Sequence, residues 1–274
     1  IKVIHIAERD TQASKRPKKE GEFVNTWSID GFFSEGTQPS EMGWGTHERK
    51  LPKGGKEHKF GPGSAIYLEQ PSFMTKVRSW TPLAQTQHAW VVTHHEAIAL
   101  ADYLTIKEDD KAIYRPTVHY AYHPCDAAVL SLHELAGNNG VFQKNQRLIS
   151  KEIVPGGIDE LGVLLMGHAK NAYWYGSRLS IDETRRLAPY NNATGLQVVA
   201  GILGGMVWAI KNPNAGIVDS EEMDHEVVME VARPYLGEML GVYTDWTPIQ
   251  DRGILFPEKI NREDIWQFEN FRVS

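Results

Sequence analysis

The sequence is poor in cysteine. It has one, Cys125, among 274 residues, and this excludes an internal disulfide framework. Basic residues are also too few for an evident nucleic-acid-binding surface, since 29 Lys and Arg face 35 Asp and Glu, for a net charge of -6. The acidic balance favours cationic or small-molecule partners. The lone cysteine fits a reducing compartment, and we predict a cytoplasmic protein that binds no nucleic acid.

Long hydrophobic runs are scarce as well. The longest, residues 196–210, spans 15 residues and contains three glycines, which is short for a bilayer-spanning helix. We therefore predict a buried helix and no membrane association. The chain also lacks an initiator methionine and opens directly into a strand pattern at residues 1–7. This opening predicts that the sequence is the later part of a longer chain.

The composition is that of a globular protein, with 41% hydrophobic and 23% charged residues. The first strand pattern is followed by a polar, lysine-rich loop, and this change predicts a boundary near Glu20. Over residues 21–188, short β-type runs alternate with Gly/Pro turns and a few helices, which predicts an α+β domain with a mixed or antiparallel sheet. After Pro189 the pattern predicts a long apolar helix and then an amphipathic helix that begins at Ser220.

The stretch VVTHHEAIALADYL, residues 91–104, predicts the passage from a strand to a helix. Thr93 stands at the N-cap position and Glu96 three residues later, which is the spacing of a capping box. His94 would then lie in the first helical turn, where the helix dipole disfavours imidazolium and keeps the ring neutral near pH 7. A neutral ring could accept a proton. The alternative is a surface or packing histidine.

A second candidate site combines aromatic rings with carboxylates. FVNTWSIDGFFSEGTQPSEMGWG, residues 23–45, contains Trp27 and Glu35, and Glu8 follows the first strand. Carboxylates attract an ammonium group by charge, and an indole face attracts it by its quadrupole. The alternative is that Trp27 belongs to the core and the acids are solvated.

Motifs for metals and nucleotides are missing. HELAG, residues 133–137, lacks the second histidine of a zinc-protease helix, while His119, His123 and Cys125 match a strand followed by a helix start. We predict no metal. The sequence also has neither a Walker loop nor a G-x-G-x-x-G fingerprint.

Several segments resemble the bacterial homospermidine synthase family, which belongs with the saccharopine-dehydrogenase-like enzymes. They are IHIAERDTQ, FVNTWSIDGFFSEGTQPSEMGWGTHE, WVVTHHEAIALADYL and NNATGLQVVAGIL, and the similarity extends over the whole chain. The resemblance implies an α/β fold: the end of a Rossmann-type dinucleotide-binding domain and an α+β catalytic and dimerisation domain with a mixed, largely antiparallel sheet. Residues 1–20 would be the last Rossmann strand and linker, residues 21–188 the catalytic domain, and residues 189–274 a helical return segment packed on the Rossmann domain.

The resemblance also implies an activity. Members of this family join two putrescines, or spermidine and putrescine, into homospermidine through imine intermediates, with NAD as a hydride shuttle and no net oxidation. It assigns substrate binding to Glu8 near the site entrance and to Trp27 and Glu35 beside the reacting amine, catalysis to Trp27, Glu35 and His94, and a homodimeric assembly. We expect His94 to accept the substrate proton, with Glu35 as its partner.

The start of the long helix is a candidate cofactor contact. Asn191, Asn192 and Thr194 lie at its N-terminus, which in this family returns to the dinucleotide domain and where polar or anionic ligand groups are favoured. Capping of the helix by Asn192 or Thr194 is the alternative. Residues that precede this sequence would hold most NAD contacts.

Two other functions remain open. An imine reductase for amino-acid substrates, such as a saccharopine or carboxynorspermidine dehydrogenase, would need an arginine for the substrate carboxylate, and residues 23–45 contain none. A non-catalytic polyamine-binding or dimerisation module is the second alternative, because the dinucleotide fingerprint is absent.

Overall fold

The computed structural model describes residues 1–273. Its strands are β1 (Val3–Asp10), β2 (Glu22–Asn25), β3 (Pro39–Gly43), β4 (Gly55–Glu57), β5 (Ala65–Pro71), β6 (Lys76–Thr81), β7 (Gln85–Trp90), β8 (Ile106–Glu108), β9 (Lys111–Tyr114), β10 (Thr117–His123), β11 (Asn145–Leu148), β12 (Ile158–His168), β13 (Asn171–Ser180), β14 (Glu238–Thr244) and β15 (Arg272–Val273). Its α-helices are α1 (Ile29–Thr37), α2 (His95–Tyr103), α3 (Asp126–Gly137), α4 (Ile181–Leu187), α5 (Ala193–Lys211), α6 (His225–Ala232) and α7 (Phe268–Phe271).

The described residues form one large sheet of 11 strands. Its main path is β14-β13-β12-β1-β10-β3-β5-β4, and β7 extends from β10 through β6 to β15. Within this sheet β1 and β10 pair in parallel, while the other pairs are antiparallel. The predicted mixed, largely antiparallel sheet is therefore confirmed.

Strand β1 lies in the middle of this sheet. It is paired with β10 on one side and with β12 on the other along its whole length. The sequence analysis assigned it to the end of a preceding dinucleotide-binding domain, but these hydrogen bonds place it inside the α+β sheet. A domain boundary near residue 20 would separate this central strand from the two strands to which it is hydrogen-bonded. The turn pattern after residue 10 indicated a loop, which says nothing about where the strand before it pairs.

The two faces of the sheet carry different layers because side chains alternate along a strand. Val3 and Ala7 of β1 point into one apolar cluster with the tryptophans and phenylalanines of the C-terminal segment. The opposite face is covered by α1, α2 and α3, and a second cluster there contains Phe32 and Tyr122. Glu8 and Asp10 share this second face, so the polar end of β1 lies beneath the helices.

Helix α5 is mostly exposed, and the prediction of a buried helix is wrong for its second half. Its start is buried, but Ile202, Met206 and Ile210 are 57%, 58% and 76% exposed. By length and composition it is apolar enough to cross a membrane, with 33% of its most apolar window buried. The hydrophobicity of the sequence could not show which part of the helix other residues would cover. The part of the chain after α5 is also less helical than predicted, since β14 and β15 both join the large sheet.

Candidate active site

The floor of the candidate site is formed by three adjacent strands. Glu8 of β1 lies beside Tyr122 of β10, and Asp10 faces Asp159 of β12 across the antiparallel pair. Glu8, Asp10 and Asp159 are all buried, so Glu8 does not lie at an entrance as the resemblance implied. The hydroxyl of Tyr120, two residues before Tyr122 on the same face, donates a hydrogen bond to Glu8. Three carboxyl groups therefore lie together in the interior with few basic neighbours.

Trp27 forms one wall, in the bend before α1. Its indole Nε1 donates to the hydroxyl of Tyr122 at 3.0 Å, and its ring packs on Phe32 with centroids 5.4 Å apart. Ser28 caps α1 by accepting from the backbone N–H of Gly31, so the helix begins directly after the indole. Trp27 is half-buried and keeps part of its ring surface accessible. Trp27 is therefore packed against the core on one side and partly exposed on the other, and its role in a site stays a prediction.

The rim is formed by the end of α1 and the start of α2. His94 Nε2 lies 3.3 Å from Glu35 Oε2, and Nδ1 lies 3.3 Å from Glu96 Oε2. The imidazole also packs on the ring of Tyr120, with centroids 4.4 Å apart. The side chains of Glu35 and His94 are 23% and 27% exposed, whereas Glu8 is 4% exposed. Carboxylates thus extend from the surface to the interior along one path.

The predicted capping box at Thr93 is wrong. His94 is the N-cap of α2 and makes no side-chain capping bond. The Thr93 hydroxyl instead contacts Pro39, Glu41 and Ser72, which ties the end of the preceding segment to β3. Glu96 is consequently free to pair with His94. The four-residue spacing was right for a cap, but tertiary contacts used the hydroxyl elsewhere.

The prediction of a neutral His94 is also wrong. Burial alone lowers the pKa of His94, but its contacts with Glu35 and Glu96 outweigh this and raise the pKa to about 10. At neutral pH the ring is an imidazolium between two carboxylates and cannot accept a proton. The helix dipole considered from the sequence acts in the opposite direction, but it is weaker than two carboxylates in contact.

Glu8, unlike His94, has a pKa that lets it accept a proton near neutral pH. Burial raises the pKa of Glu8 to about 7, and the nearby Asp10 adds to this, while the hydrogen bond from Tyr120 opposes it. Burial and the charges of Glu8 and Asp10 also raise the pKa of Asp159. A bound cation would relieve this repulsion. The floor can therefore hold an ammonium group and also take up a proton near neutral pH.

Two acceptor atoms in the site have no hydrogen-bond partner among the described residues. They are Oδ1 of Asp159 and Oε2 of Glu35, and both are buried. Glu35 Oε2 is close to His94 without a well-aligned hydrogen bond. Both atoms nevertheless have titratable neighbours, because Glu35 Oε2 lies against the His94 ring and the Asp159 carboxyl lies against Glu8.

The start of α5 is tied into the layer beneath the site. The hydroxyl of Thr194 donates to Asp159, and Gln12 Nε2 donates to both Thr194 and Asp10. Asn192 caps α5 through the N–H of Gly195, which is the alternative considered from the sequence. Asn192 and Thr194 are buried and used internally. Asn191 is half-buried, and contact of these three residues with a cofactor stays a prediction.

The structure thus brings together Glu8, Trp27, Glu35 and His94, which the sequence analysis selected. It adds others that were missed, namely Asp10, Tyr120, Tyr122 and Asp159. The two-residue spacing of Glu8 and Asp10 in β1, and of Tyr120 and Tyr122 in β10, was a readable sign of a shared face. Nothing in one sequence links Asp159 to a strand about 150 residues earlier. Among residues 1–273, no group of three or more His, Cys, Asp or Glu side chains could hold a metal ion.

Comparisons with known proteins agree with this architecture. The profile of the saccharopine dehydrogenase C-terminal domain matches residues 2–245. Homospermidine synthases of Blastochloris viridis and Mesorhizobium japonicum are 57% and 56% identical over the whole chain, which spans 57% and 56% of their lengths. The crystal structure of homospermidine synthase from Legionella pneumophila in complex with NAD matches with a TM-score of 0.96 and 54% identity, over 100% of this chain and 60% of that one.

The chain spans little more than half of the length of each of these relatives. The family profile covers most of the residues described above, including β1, β10 and β12 of the site floor. The chain therefore belongs to the saccharopine dehydrogenase C-terminal domain family.

Proposed function

We propose that this chain provides the amine-binding and proton-transfer part of a homospermidine synthase. Such an enzyme joins two putrescines, or spermidine and putrescine, into homospermidine and releases ammonia or diaminopropane. The observation that carries the proposal is the chain of contacts that joins Glu35 through His94 and Tyr120 to the buried Glu8, with Trp27 bonded to the neighbouring Tyr122. The names of relatives that share more than half of this sequence support it.

The geometry suits a diamine at both ends. The buried cluster of Glu8 and Asp159 would bind one ammonium group, and Glu35 at the rim would attract the other. Between them, Trp27 and Tyr120 present aromatic surface to the methylene chain and to positive charge at the reacting carbon. No guanidinium lies in this set, since Arg9 is bonded to Asp10 O, Pro124 O and Asp126. A substrate carboxylate would meet mainly acidic side chains there, since the charged His94 is already paired with Glu35 and Glu96.

Glu8 is the proposed proton acceptor. Loss of hydride from an amine-bearing carbon requires a neutral amine, so the ammonium must first give up a proton. Glu8 has a pKa of about 7 and can take that proton while Tyr120 holds its carboxylate in place. His94, as an imidazolium, instead pairs with Glu35 at the rim. These roles replace the predicted one in which His94 accepts the proton.

NAD is the cofactor proposed for the whole protein. When bound, it would take a hydride from the amine-bearing carbon and return it to the new imine. At the start of α5, Asn192 and Thr194 are buried and bonded to other residues, so Asn191 is the one of the three that is more accessible to a cofactor. We place the NAD contacts mainly in the part of the relatives' length that this chain does not span.

The test is product analysis with the protein at the full length of its relatives. With putrescine and NAD it should release ammonia and form homospermidine without net accumulation of NADH, and Glu8→Gln should not. Lysine-derived imines serve as the control substrates. Turnover of these imines in place of putrescine would favour an amino-acid imine reductase, and binding of putrescine without turnover would favour a non-catalytic module.

The assembly and location remain part of the proposal. We propose a homodimer in the cytoplasm, without nucleic-acid or membrane partners. The net charge of -6 argues against a nucleic-acid partner, and the lone buried thiol of Cys125 supports reducing surroundings. Light scattering of the full-length protein with and without lipid vesicles would test the assembly and the membrane parts together.

A further inference from the structure

The indole of Trp27 packs on the rings of Phe32 and Tyr122, and among the described residues a single side-chain hydrogen bond fixes its direction. It lies in a bend before α1, where the backbone is not part of a sheet or a helix. One hydrogen bond fixes its rotation, from Nε1 to the hydroxyl of Tyr122 at 3.0 Å. Without this bond the ring could turn about its side-chain torsions and present its edge to the site.

Tyr122 is itself rigidly placed. It is 2% exposed on the central strand β10, next to Glu8 in the sheet. Its ring contacts Phe32 edge-on at 5.6 Å and Tyr120 at 6.2 Å. A hydroxyl on such a support gives a fixed reference point for the indole, whereas Trp27 lies on a bend.

Gly31 limits the ring from the other side. A Cβ at this position would lie 3.3 Å from Cζ3 of Trp27 and 3.0 Å from Oγ of Ser28. Both distances are tighter than most real Cβ contacts, so a side chain there would push the indole. Its φ is not in the left-handed region, and the conformation therefore does not require glycine. The limited space beside the N-cap side chain of Ser28 and the ring of Trp27 is what favours glycine here.

From these contacts we propose that Tyr122 is a positioning residue that orients the face of Trp27 toward the bound amine, with Gly31 providing the space. The inference rests on the proposed function for its catalytic consequence. Tyr122 would not exchange protons with the substrate. Burial, with the charges of Glu8, Asp10 and Asp159, raises the pKa of its hydroxyl well above the usual value, so the group stays protonated over the working range.

The first test is a double-mutant cycle on the full-length protein with putrescine and NAD. Tyr122→Phe should lower kcat/KM about tenfold without moving the pH profile. In a Trp27→Phe background, which has no indole N–H, the same change should have little further effect. Tyr114→Phe, which removes a remote hydroxyl bonded to Ile1 O, is the matched control. Equal losses in both backgrounds would overturn the proposal.

The second test does not depend on turnover. In protein labelled with 5-fluorotryptophan, the ¹⁹F signal of Trp27 is assigned by its loss in Trp27→Phe. Tyr122→Phe should shift or broaden that signal and leave the signals of the other tryptophans in place, and Gly31→Ala should also shift it. An unchanged Trp27 signal in Tyr122→Phe would refute the proposal. If the wild type forms no homospermidine but the signals move as expected, the proposed function fails and the positioning role stands.

Discussion

At the scale of single residues, the site depends on the opposite charge states of two groups on either side of Tyr120. Its hydroxyl binds Glu8 and its ring packs on His94. Burial makes Glu8 a weak acid, and two carboxylates make His94 a strong base that is already protonated. The residue type alone suggested the reverse assignment. Their surroundings decided which of them can accept a proton at neutral pH.

Glu8 should therefore control the rate near neutrality. Because a general base acts in its ionised form, kcat/KM for putrescine should rise with pH through about 7 as the Glu8 carboxyl loses its proton. Glu8→Gln should remove this inflection and lower kcat/KM by about 100-fold or more. The measurement is a pH–rate series, with Glu57→Gln, an exposed acid on β4, as control. An inflection near 7 that persists in Glu8→Gln would refute the assignment.

The ion pairs of His94 should make the free energy of unfolding depend on pH. Since the folded pKa of His94 is raised to about 10, its pairing contributes fully below the unfolded value of about 6.5 and is lost as pH rises through 10. His94→Gln should thus lower the free energy of unfolding most at pH 6 and least at pH 10. Denaturant unfolding measures this, with the exposed His95→Gln as control. A difference that grows with pH would contradict it.

Substitutions of Trp27 should lower the activity by more as they remove more of the aromatic ring. A cation–π contact is worth roughly 0.5–2 kcal/mol, so Trp27→Phe, which keeps a smaller ring, should lose about tenfold in kcat/KM. Trp27→Ala should retain almost no activity because the wall and the water barrier are both lost. Steady-state rates with putrescine check this. Equal rates for the Phe and Ala variants would exclude the cation–π role.

At the scale of elements, the rim depends on how closely α2 approaches β3. A Cβ on Gly43 of β3 would lie 2.2 Å from Cβ of Ala101 and 2.7 Å from the carbonyl oxygen of Ala97, both in α2. The absence of a side chain at Gly43 therefore sets the height of α2 over the sheet. The N-terminus of α2 carries His94, so this packing also sets the distance from His94 to Glu35.

Gly43→Ala should displace α2. We expect a loss of about 1–3 kcal/mol in the free energy of unfolding, as for overpacking of a core, and a higher KM for putrescine. Chemical denaturation and steady-state kinetics measure the two effects. Gly137→Ala in α3 is the matched control, because no other atom lies within 4 Å of its added Cβ. Unchanged stability in Gly43→Ala would show that α2 adjusts without cost.

At the scale of the whole molecule, helix α5 carries apolar side chains that the described residues leave exposed. Its exposed apolar side includes Val198, Ile202, Met206 and Ile210, and apolar patches of this kind mark interaction surfaces. Its buried start is bonded to Asp159 in the site. A partner bound to the exposed side of α5 would therefore be connected to the acidic floor through the hydrogen bond from Thr194 to Asp159.

The 274-residue chain expressed alone should self-associate through α5. The mass from light scattering should rise with protein concentration, because exposed apolar surface is removed from water on association. The double variant Ile202→Glu and Met206→Glu should shift the mass back toward the monomer. Ile254→Glu, at an exposed position outside the helix, is the control. A chain that stays monomeric at all concentrations would contradict this prediction.

The sequence by itself determined the local features: the alternation that forms β1 and β10, the apolar helix after residue 192, and the aromatic and acidic stretch around Trp27 and Glu35. These follow from periodicity and residue chemistry within a few positions of each other. Only the tertiary structure decided that β1 is central, that Asp159 joins Glu8, and that His94 is charged. The reason is that pKa values and burial depend on distances between residues far apart in sequence, which no local pattern specifies.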